Sequence, residues 1–368
     1  MTEIELLKEL VTIPSLSGQE RNACDFLKSA MSSLGFEASI DGAGNAVGIR
    51  EAPDRHGRFT CEIVLLGHID TVSGAIPVRI ENGNLYGRGT VDAKGPLATF
   101  VMAVSGTTLM PGTRLVVVGA VEEESATSKG ARYAATQYQP DFCVIGEPSG
   151  WDGVALGYKG RILLDYELHQ PMGHTAGNQQ AAAEVAIMWW NALEQEIGEF
   201  NSEKAGLFNQ LLPSLRRMQS HTDGLMETAE LTVGMRLPPE FDIDRFKQRA
   251  VQLAGDATLR FHAYEPAFHN PRTSLLARTF NQVLRQAGVR PRFKLKTGTS
   301  DMNVVGPVWK CPVVAYGPGD SSLDHTPNEH ISLKEYSQAI SILQRVLSQI
   351  ISSESQVLDR SQKHGEMK

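Results

Sequence analysis

The chain has 368 residues, with 35 Lys and Arg against 42 Asp and Glu and a formal charge of −7. Hydrophobic residues make up 41% and charged residues 21%, which excludes a disordered or fibrous chain, and the length suggests two domains. The acidic balance disfavours a nucleic-acid-binding body, and no apolar run approaches the ~18 residues of a membrane span.

The start, Met1-Thr2-Glu3-Ile4-Glu5, lacks the cationic and apolar segments of a signal peptide. Cys24, Cys61, Cys143 and Cys311 form no CxxC pair and read as free thiols in a reducing compartment, a cytoplasm. The first 34 residues read as two helices. Ser17-Gly18-Gln19-Glu20 has the spacing of a capping box for the second, and Gly35 suits its end. Apolar, β-branched runs at 63–66, 115–120 and 142–145 read as buried strands, with a hairpin at Asn82-Gly83 and a helix over 97–109. The alternation implies an α/β sheet with helices packed on it. From Arg161 the pattern becomes βαββαβ: an alternating strand from Ile162, a helix at 179–193, a hairpin of 215–220 with 229–235, a helix at 242–253 and a strand at 257–264. Helix and strand then alternate again from Pro266, so an α/β domain formed by 1–160 and 266–368 is interrupted by a small α+β domain at 161–265. Trp189 and Trp190 read as core of the insert, and 353–368 as a frayed end. The basic stretch Arg290–Lys296 reads as a charged edge strand or a docking site for an acidic partner.

The chemistry gathers at the ends of the apolar runs. His68 and Asp70 follow the first, Glu122-Glu123-Glu124 the second and Glu147 the third; Asp92 and His325 lie in glycine-rich segments. In an open α/β sheet, ligands bind outside the carboxyl ends of the strands. Each residue alone has an ordinary structural explanation: a hydrogen-bonded His, a solvated helix start, a turn. Together, several carboxylates at one sheet edge repel one another in a partly dry cleft, and a divalent cation removes that cost. Two His with several carboxylates is a ligand set zinc accepts.

Gly67-His68-Ile69-Asp70-Thr71-Val72, Gly87-Arg88-Gly89-Thr90-Val91-Asp92-Ala93-Lys94-Gly95, the Glu triplet, Gly146-Glu147-Pro148 and His325 resemble the two-zinc aminoacylase and carboxypeptidase family, over nearly the whole chain. The resemblance implies a zinc-peptidase-like catalytic domain with a mixed sheet, an inserted dimerisation and lid domain, a homodimer, and two Zn2+ per subunit that Co2+ can replace. His68 and Glu147 are then expected on one metal, Glu123 and His325 on the other, and Asp92 bridging both, with a cis Asp92-Ala93 bond. Asp70 is expected to orient His68, and Glu122 to act as general base. His174, in Pro171-Met172-Gly173-His174, is expected to reach the partner subunit's site and help hold the oxyanion. Arg236 is expected to hold a substrate carboxylate, although Met235 replaces the family's usual Asp before it. Thr299, Ser300 and Gly317 are expected to line the substrate pocket.

Gly146-Glu147-Pro148-Ser149-Gly150-Trp151, Gly157-Tyr158-Lys159-Gly160-Arg161 and Thr297-Gly298-Thr299-Ser300-Asp301 are similar to the subgroup that releases lysine or ornithine from an acidic amino-group carrier protein, the last step of lysine or arginine biosynthesis. There the α-amino group of the amino acid is acylated by the γ-carboxyl of the carrier's terminal glutamate. Lys159, Arg161 and Arg290–Lys296 are candidates for a basic patch that meets the carrier. The alternatives are a small-molecule deacylase of acetylornithine, acetyl-lysine or succinyl-diaminopimelate, a metallodipeptidase, and a non-catalytic relative.

Overall fold

A computed structural model describes residues 1–174 and 176–365, with side chains described up to Ser353. The chain forms two compact units: Met1–Gly157, Asn270–Leu295 and Ser300–Lys368 make the first, and Tyr158–His269 with Lys296–Thr299 the second.

In the first unit a mixed sheet runs in the order Glu37–Ile40, Ala46–Ala52, Thr113–Ala120, Cys61–His68, Phe142–Gly146, Val313–Ala315, Gly153–Tyr158. Cys61–His68 lies parallel to both neighbours, with Gly67 beside Gly119 on one side and Gly146 on the other. Val313–Ala315 continues the parallel set. These central strands read as unbroken apolar runs because both faces are covered. Helix Lys94–Ser105 packs on one face and is buried almost throughout, which explains why it is apolar all round. The sheet and helix approach closely: a Cβ on Gly146 would lie 2.9 Å from Gly67 Cα and 3.0 Å from the Phe100 ring. The Asn82-Gly83 hairpin forms as expected, both residues having positive φ.

Two expectations fail locally. The second helix, Arg21–Ser33, has Glu20 at its cap position and no side-chain cap, so Ser17-Gly18-Gln19-Glu20 is not a capping box. Ser17 and Glu20 turn toward the acidic cluster described below. The tail expected to fray is helical, Leu333–Gly365, and residues 366–368 lie outside the described residues. No helix among the described residues is long and apolar enough to cross a membrane, and no disulfide joins the described cysteines.

The second unit is a four-stranded antiparallel sheet in the order Leu212–Thr222, Met226–Leu237, Gly160–Pro171, Thr258–Glu265. Helices Ala182–Asn201 and Ile243–Ala254 complete the βαββαβ order. Ile162, Leu164, Tyr166 and Leu168 project to one face and join Leu193, Val233 and Met235 in the core. Trp189 stacks on Tyr166 at 4.7 Å and is core as expected, whereas Trp190 is only partly buried.

Lys159 is fully buried and donates to the carbonyls of Leu207, Phe208 and Gln210, so it is no part of a docking patch. Burial, and then the charge of Arg236, pushes its pKa from 10.5 down to about 8. The folded chain therefore releases this proton at lower pH than the unfolded chain. Between pH 8 and 10.5 the unfolded state holds more protons, and the contribution of Lys159 to stability rises with pH. Urea unfolding of wild type and Lys159→Met at pH 7 and 10 should show the difference moving toward wild type by on the order of 1–3 kcal/mol. A difference that does not change with pH would mean that the lysine keeps its proton in the fold.

Candidate metal centre

Three parallel strands end at one edge of the first unit's sheet, and their following residues carry the acids and imidazoles. His68 closes Cys61–His68 and is buried. Its Nδ1 lies 3.0 Å from the main-chain oxygen of Asp70, and its Nε2 lies 3.1 Å from Asp92 Oδ1. The other oxygen of Asp92 lies 3.0 Å from His325 Nε2, which also meets Glu124 Oε1 at 2.9 Å. One carboxylate thus spans two imidazoles that are far apart in sequence. The Asp92-Ala93 peptide bond is cis, as expected. Glu329, fully buried, accepts from the Val91 and Asp92 N–H groups at 2.9 and 3.2 Å and pairs with Arg88 at 2.7 Å. Sequence reasoning missed Glu329; its only signal was an acid four residues beyond His325.

The Glu triplet is displaced by one position from the expected roles. Glu124, not Glu123, sits beside His325, and His68, Asp92 and Glu124 bring ligand atoms within 4.8 Å of one another. Glu122 does not face this cluster: its carboxylate accepts from the Thr127 hydroxyl at 2.7 Å and lies 3.5 Å from Lys129 Nζ. In an extended triplet neighbouring side chains would point to opposite sides. Glu122 instead has φ 60°, in the left-handed region, which breaks that alternation. Glu123 is the triplet member left among the cluster acids. Burial, with the Asp301, Glu124 and Asp92 charges added, holds its pKa well above the carboxylate range, against the pull of His68.

Asp70 flanks the His68 ring through both of its oxygen-bearing groups: its main-chain oxygen lies 3.0 Å and its carboxylate 3.5 Å from His68 Nδ1. The carboxylate accepts from the N–H groups of Glu123 and Glu124, at 3.1 and 3.0 Å, and from the Ser17 hydroxyl at 2.7 Å. Glu20 accepts from Glu122 N–H at 3.2 Å. Ser17, Glu20 and Asp70 therefore set the course of the triplet's backbone.

The electrostatics fit a cation. Burial and the charges of Asp92 and Glu123 raise the pKa of Glu147 well above the carboxylate range. Burial alone would lower that of His68, but Asp70, Asp92 and Glu123 outweigh it and raise it. The hydrogen bond to Asp92 raises that of His325 to about 9. Four acids, Asp92, Glu123, Glu124 and Glu147, surround two imidazoles, an excess of negative charge that hard or borderline divalent ions neutralise. The oxygen and imidazole donors suit zinc, and His68, Asp92, Glu124, Glu147 and His325 are the residues that could hold it.

The remaining predicted residues are placed as follows. His174 lies in an exposed loop of the second unit, its Nδ1 accepting from Ala176 N–H at 3.1 Å; Thr175 beside it lies outside the described residues. Arg236 donates from Nη1 to the Thr299 hydroxyl at 2.9 Å, within that same unit. The Ser300 hydroxyl is the N-cap of Asp301–Trp309, accepting from Met302 N–H. Gly317 is pressed against Pro96 and the Glu147 carbonyl, where a Cβ would come within 2.6 and 2.8 Å. Arg292, in strand Arg292–Lys296, is ion-paired with Asp152.

Residues 64–349 match the peptidase family M20/M25/M40. The chain belongs to this family. It is a metallohydrolase of the M20 type. It is 44% identical over 355 residues to the LysW-lysine hydrolase of Deinococcus radiodurans, covering 94% of this chain and 96% of that one. The LysW-lysine/LysW-ornithine hydrolase of Sulfurisphaera tokodaii is 28% identical over 341 residues, 90% of each chain. Among solved structures, an M20 metallo-carboxypeptidase of Sulfolobus solfataricus superposes with a TM-score of 0.75 at 18% identity, covering 95% of this chain and 99% of that one. YXEP of Bacillus subtilis, a dinuclear metal-binding M20 peptidase, gives 0.70 at 13%, covering 95% and 98%. These two likenesses establish the M20 fold.

Proposed function

We propose that this M20 enzyme hydrolyses the amide joining the α-amino group of lysine, and secondarily ornithine, to the γ-carboxyl of the terminal glutamate of an acidic carrier protein. The observation that carries this reading is the 44% identity to a LysW-lysine hydrolase across nearly both whole chains. His68, Asp92 and Glu147 would hold one metal, and Asp92, Glu124 and His325 would hold the other, two Zn2+ being the expected pair. When bound, the metals supply Lewis-acid activation of water and of the amide carbonyl. Glu123 is the general base. Its carboxylate takes one proton from the water as the C–O bond forms and gives it to the amide nitrogen as the C–N bond breaks; the amine leaves, and the γ-carboxyl group releases the water's second proton to solvent and leaves as the carboxylate. Arg236, oriented by Thr299, holds the carboxylate of the released amino acid.

The enzyme is a cytoplasmic homodimer in this reading, with His174 completing the partner's site. The dimer is supported by the second unit's outer strand, Leu212–Thr222. It is exposed along most of its length and presents Leu215 and Met218 to solvent, an edge that another copy can cover.

Turnover of carrier-linked lysine, acetyl-lysine and acetylornithine with added zinc or cobalt tests the substrate. Carrier-linked lysine should exceed both small substrates in kcat/KM by ~100-fold. Equal or better turnover of acetylornithine would replace this reading with a small-molecule deacylase.

A further inference from the structure

The second unit's sheet has one face covered by its two helices and one face that is not part of that core. On the latter, Gly160–Pro171 presents Arg161, Leu163 and Asp165, and Met226–Leu237 presents Thr232 and Arg236. The register pairs Asp165 with Thr232 and Arg161 with Arg236. Residues directly opposite in an antiparallel pair share a face, their Cβ atoms about 5 Å apart, and like charges there are destabilising.

The two pairs are resolved differently. Asp165 accepts from the Thr232 hydroxyl at 3.0 Å and meets His262 at 3.0 Å. Arg161 finds no such partner. Its Nε is buried without a hydrogen bond, and among the described residues it forms no ion pair, although Glu265 lies opposite it on the next strand, past a register shift. Arg236 is steered by Thr299. Lys159, two residues before Arg161, adds a third positive group. A half-buried guanidinium whose Nε is buried without an acceptor, set opposite a second guanidinium, is an arrangement that a carboxylate completes.

We propose that Arg161 and Arg236 form a two-guanidinium site in which Arg161 receives the α-carboxylate of the γ-glutamyl acyl group while Arg236 receives the carboxylate of the amino acid. This rests on the substrate reading above. A glutamate joined through its γ-carboxyl keeps its α-carboxylate, so the scissile amide is flanked by one carboxylate on each side. About seven bonds, ~9 Å when extended, separate them, a span that two arginine side chains can cover. An acetyl group offers nothing to Arg161. The pair therefore selects γ-glutamyl over acetyl substrates.

The test uses the zinc-loaded full chain, wild type, Arg161→Gln and Arg161→Lys. The substrates are lysine acylated on its α-amine by the γ-carboxyl of acetylglutamate, the same compound with its α-carboxylate converted to a carboxamide, and acetyl-lysine. Arg161→Gln should lower kcat/KM for the first by about 10- to 100-fold and for the other two by less than about twofold. Arg161→Lys should recover part of the selectivity. Equal losses on all three, accompanied by a lower thermal midpoint, would make Arg161 a structural residue and overturn the proposal, as would no loss on any. Calorimetric binding of acetylglutamate separates this inference from the reading it rests on. At least about tenfold weaker binding to Arg161→Gln supports the site even if wild type hydrolyses neither γ-glutamyl compound, and unchanged binding overturns it.

Discussion

Glu123→Gln is expected to keep its full metal content and lose turnover by about 10²- to 10⁴-fold, the range assigned to a positioned general base. The amide is nearly the same size as the carboxylate but cannot accept the water's proton. Glu122→Gln is the matched control. Its carboxylate is engaged with Thr127 and Lys129 at partly exposed positions, so its loss should change turnover by less than about threefold. The pair of variants separates two adjacent acids that the sequence alone does not distinguish. Steady-state rates with metal analysis on the same samples give the answer. A Glu122→Gln enzyme that is inactive, beside an active Glu123→Gln enzyme, would return the base to the position first expected.

Asp92→Asn is expected to be the most damaging change to metal loading. The two Asp92 oxygens face different imidazoles, Oδ1 toward His68 and Oδ2 toward His325. An amide has one good acceptor and one donor, so it can serve only one of the two sides. Dialysed Asp92→Asn should hold about one metal per chain or fewer, and its turnover should fall about 10³-fold or more even with metal in excess. Elemental analysis and rates at rising zinc decide it. Two tightly held metals and a near-normal rate would remove Asp92 from the bridging position. Glu124→Gln should lose metal by the same assay while Glu123→Gln does not, which checks the one-position shift independently.

The large features of the molecule were legible because they depend on pattern. Apolar runs at 63–66, 115–120 and 142–145 become buried strands because only a covered sheet accommodates them, and chemistry-bearing residues follow their carboxyl ends. The strict alternation from Ile162 to Leu168 likewise marks a one-sided sheet. What was not legible depends on single torsions and on long-range partners. Which of two adjacent acids faces the cluster depends on the backbone at Glu122, and its left-handed φ of 60° carries no mark in the sequence. Ser17 and Glu20 have capping-box spacing, but Asp70 and the Glu122 amide, 53 and 102 residues away, compete successfully for their side chains. Lys159 has the composition of a surface residue; three carbonyls from residues 207–210 draw it inward, and nothing in its own neighbourhood of the sequence signals them.

His325 follows its neighbour Glu124 by 201 residues, with the entire second unit's main segment between them. A ribosome must therefore complete that intervening segment, and the chain must return, before the final imidazole arrives. A nascent polypeptide halted short of that point can carry its acids but not a finished cation cage. His68, Asp92 and Glu147 would thus be in place long before the Glu124 and His325 pair is complete, so the two halves of the centre would mature in sequence.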